Sequence, residues 1–147
     1  MQDKAKPFTA EKIAVGVERP DSQSVISELF GRSKYFFLFD EKNNTEEIIA
    51  NPFARTFGGA GIQTAQLLVE NNVDVLITNQ VGINAMRILN SAGTRVFVCI
   101  RENARTAVRL FYENKLKIID KSEILVHGKK HRNRLGYRNQ TNTNSKI

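Results

Sequence analysis

The residues of this chain that could do chemistry are mainly hydrogen-bond donors, with few acids among them. They occur in three short loops, 18–22, 78–84 and 101–103, and in a glycine-rich stretch around 58–61. The candidate ligand-binding residues are Arg19, Gly58, Gly59, Gly61, Asn79, Gln80, Asn84 and Arg101. Guanidinium groups and the free amides at helix N-termini both favour negative charge. This set therefore predicts an anion-binding site, and the alternative is that these residues only cap helices and close turns.

The glycine cluster does not form a known nucleotide-binding motif. No Lys-Ser or Lys-Thr pair follows Gly58, Gly59 and Gly61, and the G-x-G-x-x-G spacing is missing. Two interpretations stay open. The backbone amides could approach a ligand, or the glycines could only allow a tight helix start.

The candidate metal ligands are one cysteine and two histidines. Cys99 lies in an apolar run that predicts a buried strand, where a free cysteine is ordinarily a core residue. Its place near the end of that strand still allows metal ligation. His127 and His131 lie in a polar segment without a predicted helix, and no carboxylate or thiolate accompanies them. With no base or nucleophile in the predicted domain, we expect a protein that is not an enzyme.

Alternating strands and helices must position the candidate residues. Short β-branched and aromatic runs predict strands, and apolar residues at helical spacing predict helices. The predicted strands are 12–17, 34–42, 45–50, 73–78 and 94–100. The predicted helices are a short one over 24–30 and longer ones over 58–72, 83–92 and 103–116. Asn72 and Gly93 are expected to end the first two long helices, and Asn103 to cap the start of the third.

This order of elements predicts an α/β fold. The first three strands would form an antiparallel meander and the later ones would follow through right-handed crossovers. The result is a mixed sheet of about five strands with helices on both faces, in three α/β/α layers. Residues 117–126 could add an edge strand or a strap across the sheet. In such sheets ligands bind beyond the carboxyl ends of the parallel strands, where the three loops should converge.

Length and composition predict one soluble domain. The chain has 147 residues, of which 41% are hydrophobic and 25% charged. No apolar run approaches the roughly 20 residues that cross a bilayer, and residues 1–11 lack the apolar core of a signal peptide. A single cysteine fits a reducing compartment. We therefore expect a cytoplasmic protein without membrane contact.

The positive charge is concentrated in residues 127–147. They hold six of the 22 Lys and Arg and none of the 15 Asp and Glu, which leaves a net charge of +1 on residues 1–126. We expect 12–126 to form the domain and 1–11 to be a loose leader. Residues 127–147 are expected to be disordered, because they bury too little apolar surface to offset their ordering entropy. Such a segment could bind nucleic acid non-specifically, which is the weakest of the partner hypotheses.

Three segments match the motifs of a known family in order and spacing. They are KIAVGV (12–17), LFGRSKYFFLFD (29–40) and GGAGIQTAQLLVENNVDVLITNQVGINAMRILNSAGTRVFV (58–98). These residues resemble the dinitrogenase iron–molybdenum cofactor biosynthesis family, and the resemblance covers roughly residues 12–116. It implies a ribonuclease-H-like topology in which the first strand lies between the meander and the parallel strands.

The resemblance also implies a non-catalytic binding function. The protein would carry or sense an anionic iron–sulfur or molybdenum-containing cluster or its precursor, with other cofactor-assembly proteins as partners. Phe57-Gly58-Gly59 stand where many members carry a histidine, which removes an obvious metal ligand. Nuclease chemistry in this topology needs clustered carboxylates, and strand 12–17 has none. Two alternatives stay open: a metal-free protein-interaction or small-anion-binding module of the same fold, and nucleic-acid association through 127–147.

Overall fold

The structure is a computed structural model that describes residues 11–119, 124–126 and 129–130. Its first sheet has six strands, which are β1 (Lys12–Val17), β2 (Tyr35–Asp40), β3 (Thr45–Ala50), β4 (Val75–Thr78), β6 (Arg95–Val98) and β7 (Lys117–Ile118). A second, small sheet contains β5 (Val81–Gly82), β8 (Ile124–Val126) and β9 (Lys129–Lys130). The helices are α1 (Ala60–Glu70), α2 (Ile83–Ser91) and α3 (Ala104–Tyr112), and a 3-10 turn covers Phe30–Arg32.

The order of the large sheet is β3-β2-β1-β4-β6-β7. The first three strands form the predicted antiparallel meander, and β4 and β6 continue from β1 in parallel. This order confirms the mixed α/β sheet with β1 in a central position. The sheet has six strands instead of about five because β7 pairs antiparallel with β6 as an edge strand.

Alternation along the strands divides the core into two apolar layers. On one face Ala14 and Leu76 pack with Leu68 of α1 and Leu89 of α2. On the other face Ile13, Val15 and Ile77 pack with Ala104 and Ala107 of α3. Successive residues of a strand point to opposite faces, so both faces of the sheet are apolar. A layer of helices covers each face, which is the predicted three-layer α/β/α arrangement.

The predicted helix over residues 24–30 is wrong. This segment is irregular, and its backbone pairs with distant loops: the amide of Ile26 donates to the carbonyl of Glu102 at 3.0 Å, and the amide of Phe30 to that of Gln80 at 2.8 Å. Ser24 is fully buried and its hydroxyl accepts hydrogen bonds from the backbone of the 18–19 turn. Serine side chains that bind nearby backbone compete with helix formation.

Helix ends follow the sequence more closely than loops do. Asn72 and Gly93 have positive φ of 60° and 82° after α1 and α2. Asn103 caps α3 through a 2.8 Å bond that its Oδ1 accepts from the amide of Thr106. These three predictions are confirmed, but α3 ends at Tyr112 instead of residue 116.

Two loop predictions change in detail. The expected loop 79–82 contains β5, which pairs in parallel with β8. Residues 117–126 supply both an edge strand, β7, and the strand β8 of the small sheet. No helix in the described part of the chain is long and apolar enough to span a bilayer.

The predicted boundaries at both ends fall mainly on residues outside the described ones. Residues 1–10 of the predicted leader lie there, as does most of 127–147, so those expectations stay predictions. Within 127–147 the structure describes β9, which pairs antiparallel with β8.

Candidate functional site

An open cleft of about 700 Å³ lies where α1 and α2 begin. Its walls are residues 29–32, 58–62 and 82–85, together with Gln80 and Arg87. Gln80 follows the carboxyl end of β4, so the cleft lies at the end of the sheet where ligands of open α/β folds bind. The volume is within the usual range of small-molecule sites.

Both helices present an N-terminus that no side chain caps. Gly59 precedes α1 and Gly82 precedes α2, and neither position offers a side-chain acceptor to the first-turn amides. Neither helix carries an acid in its first turn. The first amides of a helix have no intrahelical partner and carry partial positive charge. Two such helix starts in one cleft favour an anion.

Glycine lets the walls of the cleft approach each other. A Cβ on Gly31 would lie 2.8 Å from the backbone nitrogen and Cα of Gly61, which is too close for any side chain. This contact holds the 3-10 turn against the start of α1. On the other side of that start, Gly59 has a φ of 74°, a conformation that favours glycine. This local geometry agrees with a tight helix start, one of the two interpretations of the glycine cluster, and leaves open whether its amides also bind a ligand.

Two arginines that sequence reasoning missed supply the cationic side chains of the cleft. Nη1 of Arg32 donates to the carbonyl oxygens of Ala54 and Thr56 at 3.0 and 2.7 Å. Nη1 of Arg87 donates to Oδ1 of Asn84, the second residue of α2, at 3.3 Å. No Asp or Glu lines the cleft among the residues described, so no carboxylate there would repel an anion.

The structure brings five of the eight predicted ligand-binding residues together. Those that line the cleft are Gly58, Gly59, Gly61, Gln80 and Asn84. The others, which do not line it, are Arg19, Asn79 and Arg101. Arg19 lies 3.4 Å from Asp21, and Arg101 has a φ of 63° in the turn before α3.

The path of residues 24–30 explains why Arg101 lies apart from the cleft. Val25 forms a bridge with Asn103, and Leu29 forms one with Gln80. The segment thus runs from the loop that holds Arg101 to the cleft. Each of the three predicted loops contacts this segment at a different point, so they do not meet at one site as the sequence predicts.

Cys99 lies away from the cleft. Its side chain is 6% exposed and belongs to the apolar layer that packs on α3, on the opposite face of the sheet from α1 and α2. Burial, and to a lesser degree the charge of Glu102, raises the pKa of the Cys99 thiol to about 11. A neutral thiol is a poor metal ligand. Within residues 11–119 and the two short described strands, no group of three Cys, His, Asp or Glu side chains could hold a metal.

The sequence contained a signal for Arg87 but not for Arg32. Arg87 follows Asn84 by three residues on a predicted helix, which places both side chains on one face. Arg32 follows the segment that was wrongly assigned as helical, and its place in the cleft depends on the long-range pairing of Leu29 and Phe30 with Gln80. Short-range periodicity contains no information about such a pairing.

Comparison with known proteins links this geometry to a family. A family model described as dinitrogenase iron-molybdenum cofactor matches residues 11–114. The apo form of the orange protein from Desulfovibrio gigas is similar in structure, with 29% identity, a TM-score of 0.71, and coverage of 76% of this chain and 94% of that one. A Thermotoga protein proposed to be a NifB protein has 30% identity and a TM-score of 0.66, with 74% and 92% covered. An uncharacterised protein of Methanocaldococcus jannaschii is 26% identical over 101 residues, which are 67% of this chain and 86% of that protein.

Proposed function

Since this chain belongs to the dinitrogenase iron-molybdenum cofactor family, we propose that it binds an anionic metal–sulfur cluster, or a precursor of one, in the cleft at the starts of α1 and α2. It acts as a carrier or sensor and catalyses no reaction. The observation that supports this function best is the meeting of two uncapped helix N-termini with Arg32 in a cleft whose described walls contain no acid.

The donors of the cleft suit an anion with several acceptor atoms. The first turns of both α1 and α2 line the cleft and contribute backbone N–H groups, and the guanidinium of Arg32 adds a charged donor. Charge-assisted hydrogen bonds of this kind are about twice as strong as neutral ones. Oxo and sulfido ligands on molybdenum, iron or copper are acceptors that such donors can bind.

The residues of the cleft favour binding of a cluster without a bond between the protein and the metal. None of the lining residues is Cys, His, Asp or Glu, so the described cleft offers neither a metal ligand nor a general base. A cluster would be held by hydrogen bonds and charge, with its own sulfides completing the metal coordination. A reducing compartment such as the cytoplasm suits both the free thiol and a sulfide-rich ligand. Proteins that assemble or receive such a cofactor are the partners that this function requires.

The first test is metal and sulfide analysis, with an absorbance spectrum, of protein purified without oxygen and without an affinity tag. The same protein is then titrated with tetrathiomolybdate, and we expect saturable, stoichiometric binding. The double variant R32A/R87A should bind at least tenfold more weakly, because both cations leave the cleft. The control R109A removes an exposed arginine of α3 on the other face of the sheet and should bind like the parent. This function would be refuted if the parent protein contains no metal and sulfide after purification and also binds no tetrathiomolybdate.

Phe57 favours a second candidate function. Its side chain is fully exposed on the turn directly before Gly58 and the start of α1. The large apolar side chains Leu29 and Ile62, which line the cleft, are also exposed, and apolar side chains exposed together in a patch are typical of a protein contact. The chain would then be a metal-free interaction module or a module for small anions. Partner binding that survives metal stripping and is lost in F57S would support this second function, whereas metal-dependent binding would contradict it.

A further inference from the structure

We propose that residues 54–58 form a lid, in which Phe57 closes over a ligand bound in the cleft and Arg32 links the lid to that ligand. This inference rests on the proposed function, because it assigns a closing device to the same site. The lid is open in the structure. The Phe57 side chain is fully exposed and is not part of the cleft wall, whereas the next residue, Gly58, lines the cleft.

Two glycines give the lid a hinge beside the cleft. Gly58 and Gly59 have positive φ of 108° and 74°, and a Cβ added to either would meet no atom beyond its chain neighbours within 4 Å. Glycine changes its backbone conformation at little steric cost, and the space around both positions is open. Consecutive Cα atoms are about 3.8 Å apart, so a rotation at this hinge turns the Phe57 ring from solvent toward the cleft.

The other end of the lid is anchored in the domain. Asn51 is buried, and its Nδ2 donates to the carbonyl oxygen of Ser33 at 2.8 Å and to Oγ1 of Thr64 at 3.1 Å. Its Oδ1 accepts from the amide of Phe53 at 3.1 Å. A fixed anchor before the lid and a glycine hinge after it confine the movement to the residues between them, which include Phe57.

Arg32 connects the lid to the cleft. In the described part of the chain, the hydrogen bonds between residues 54–58 and distant segments are those that Nη1 of Arg32 donates to the carbonyl oxygens of Ala54 and Thr56. A guanidinium has five N–H groups and Nη1 carries two of them, so Nε and Nη2 keep three for an anion in the cleft. A ligand that binds these donors fixes the guanidinium, and with it the backbone of the lid.

The apolar rim of the cleft favours closure. Leu29 and Ile62 line the cleft and are themselves exposed, so the Phe57 ring buries apolar surface against them when it covers a ligand. Removal of water from a bound anion strengthens its attraction to Arg32 and to the two helix starts. Since a closed lid must open before the ligand leaves, the lid slows release more than it slows binding.

A tryptophan at position 57 reports directly on the lid. The chain has no other tryptophan, so F57W carries a single fluorescent reporter. The test measures, from fluorescence lifetimes, the rate constant of acrylamide quenching without ligand and with saturating tetrathiomolybdate. We expect this constant to fall about threefold or more with ligand, because the closed lid excludes solvent from the ring. The control Y112W carries its tryptophan on α3, on the other face of the sheet, and its quenching constant should not change.

Two further variants test the link and the cover separately. R32A/F57W at saturating ligand should keep the quenching constant of ligand-free F57W, because the link to the ligand is lost. F57A should release tetrathiomolybdate about fivefold faster than the parent in stopped-flow dilution, whereas its association rate constant should change by less than about twofold.

The outcomes separate the lid from the proposed function. If F57W binds tetrathiomolybdate while its tryptophan stays as accessible as without ligand, or if F57A releases the ligand at the parent's rate, the lid is overturned and the proposed function stands. Protection that persists in R32A/F57W would overturn the link through Arg32. If the parent itself binds no tetrathiomolybdate, both proposals fail.

Discussion

Nη1 of Arg32 donates a 2.7 Å hydrogen bond to the carbonyl oxygen of Thr56. Through this bond a residue of the 3-10 turn holds the loop that leads into Gly58 and the start of α1. The same guanidinium lines the cleft, so one side chain both orders the loop and contributes charge to the candidate site.

Replacing Arg32 should therefore weaken ligand binding more than it weakens the fold. We expect R32A to raise the Kd for tetrathiomolybdate about tenfold, which corresponds to about 1.4 kcal/mol. The free energy of unfolding should fall by less than about 1 kcal/mol, because the lost hydrogen bonds are exposed. R55A, in the same loop but outside the cleft, is the matched control for a titration and a urea melt. Equal Kd values for R32A and R55A would contradict this role.

The contact between Gly31 and Gly61 predicts different effects for the same substitution. G31A places a Cβ 2.8 Å from backbone atoms of Gly61 and should lower the free energy of unfolding by about 1–3 kcal/mol. G61A places its Cβ 3.5 Å from that of Ala85, an ordinary contact, and should be neutral or slightly stabilising in a helix. Urea unfolding of both variants checks this order. A G31A variant as stable as G61A would show that the turn can move away from α1 at little cost.

Cys99 predicts a loss of stability in alkaline solution. Burial raises the pKa of its thiol from 9.0 to about 11, so the unfolded chain releases this proton at lower pH than the folded one. The contribution to stability is fully present below pH 9 and is lost as the pH rises to about 11. The free energies of unfolding of the parent and C99A should be measured from pH 9 to about 11. The difference between them should be smaller at about pH 11 than at pH 9. A difference that stays constant with pH would refute the raised pKa. C99A should also bind tetrathiomolybdate like the parent.

The cap of α3 can be tested through Asn103. N103A removes the oxygen that accepts from the amide of Thr106 at 2.8 Å and should cost about 1 kcal/mol. N103D keeps an acceptor and adds negative charge at a helix N-terminus, so it should retain the stability of the parent. N90A, an exposed residue in the last turn of α2, controls for asparagine replacement in general. Chemical denaturation measures all three, and equal losses in N103A and N103D would argue against the cap.

The sequence was sufficient for those parts of the fold that depend on short-range patterns. The apolar run of β4 and the helical spacing in α1 and α2 predict a parallel unit whose crossover can take only one hand. The helix ends at Asn72 and Gly93 follow from the residues that tolerate positive φ. These features need only nearby residues, so one sequence contains them.

The site was only partly predictable because one segment pairs with two distant loops. Val25, Ile26 and Leu29 have helical spacing, but buried Ser24 and Ser27 bind the 16–19 backbone and the Glu18 carboxylate instead. The segment then separates the loop of Arg101 from the cleft and brings in Arg32. Which arginine reaches the site was therefore decided by tertiary pairing, and no residue spacing in the sequence carries that information.

The described walls of the cleft contain donors and cations but no coordinating side chain. If the cleft holds a cluster as proposed, the protein itself makes no bond to the metal, so release of the cluster breaks no metal–protein bond. A recipient that offers thiolates or imidazoles would bind the same metal more strongly, and transfer toward it would be downhill. The direction of metal traffic would then be determined by the recipient, and the carrier would return unchanged for the next cycle.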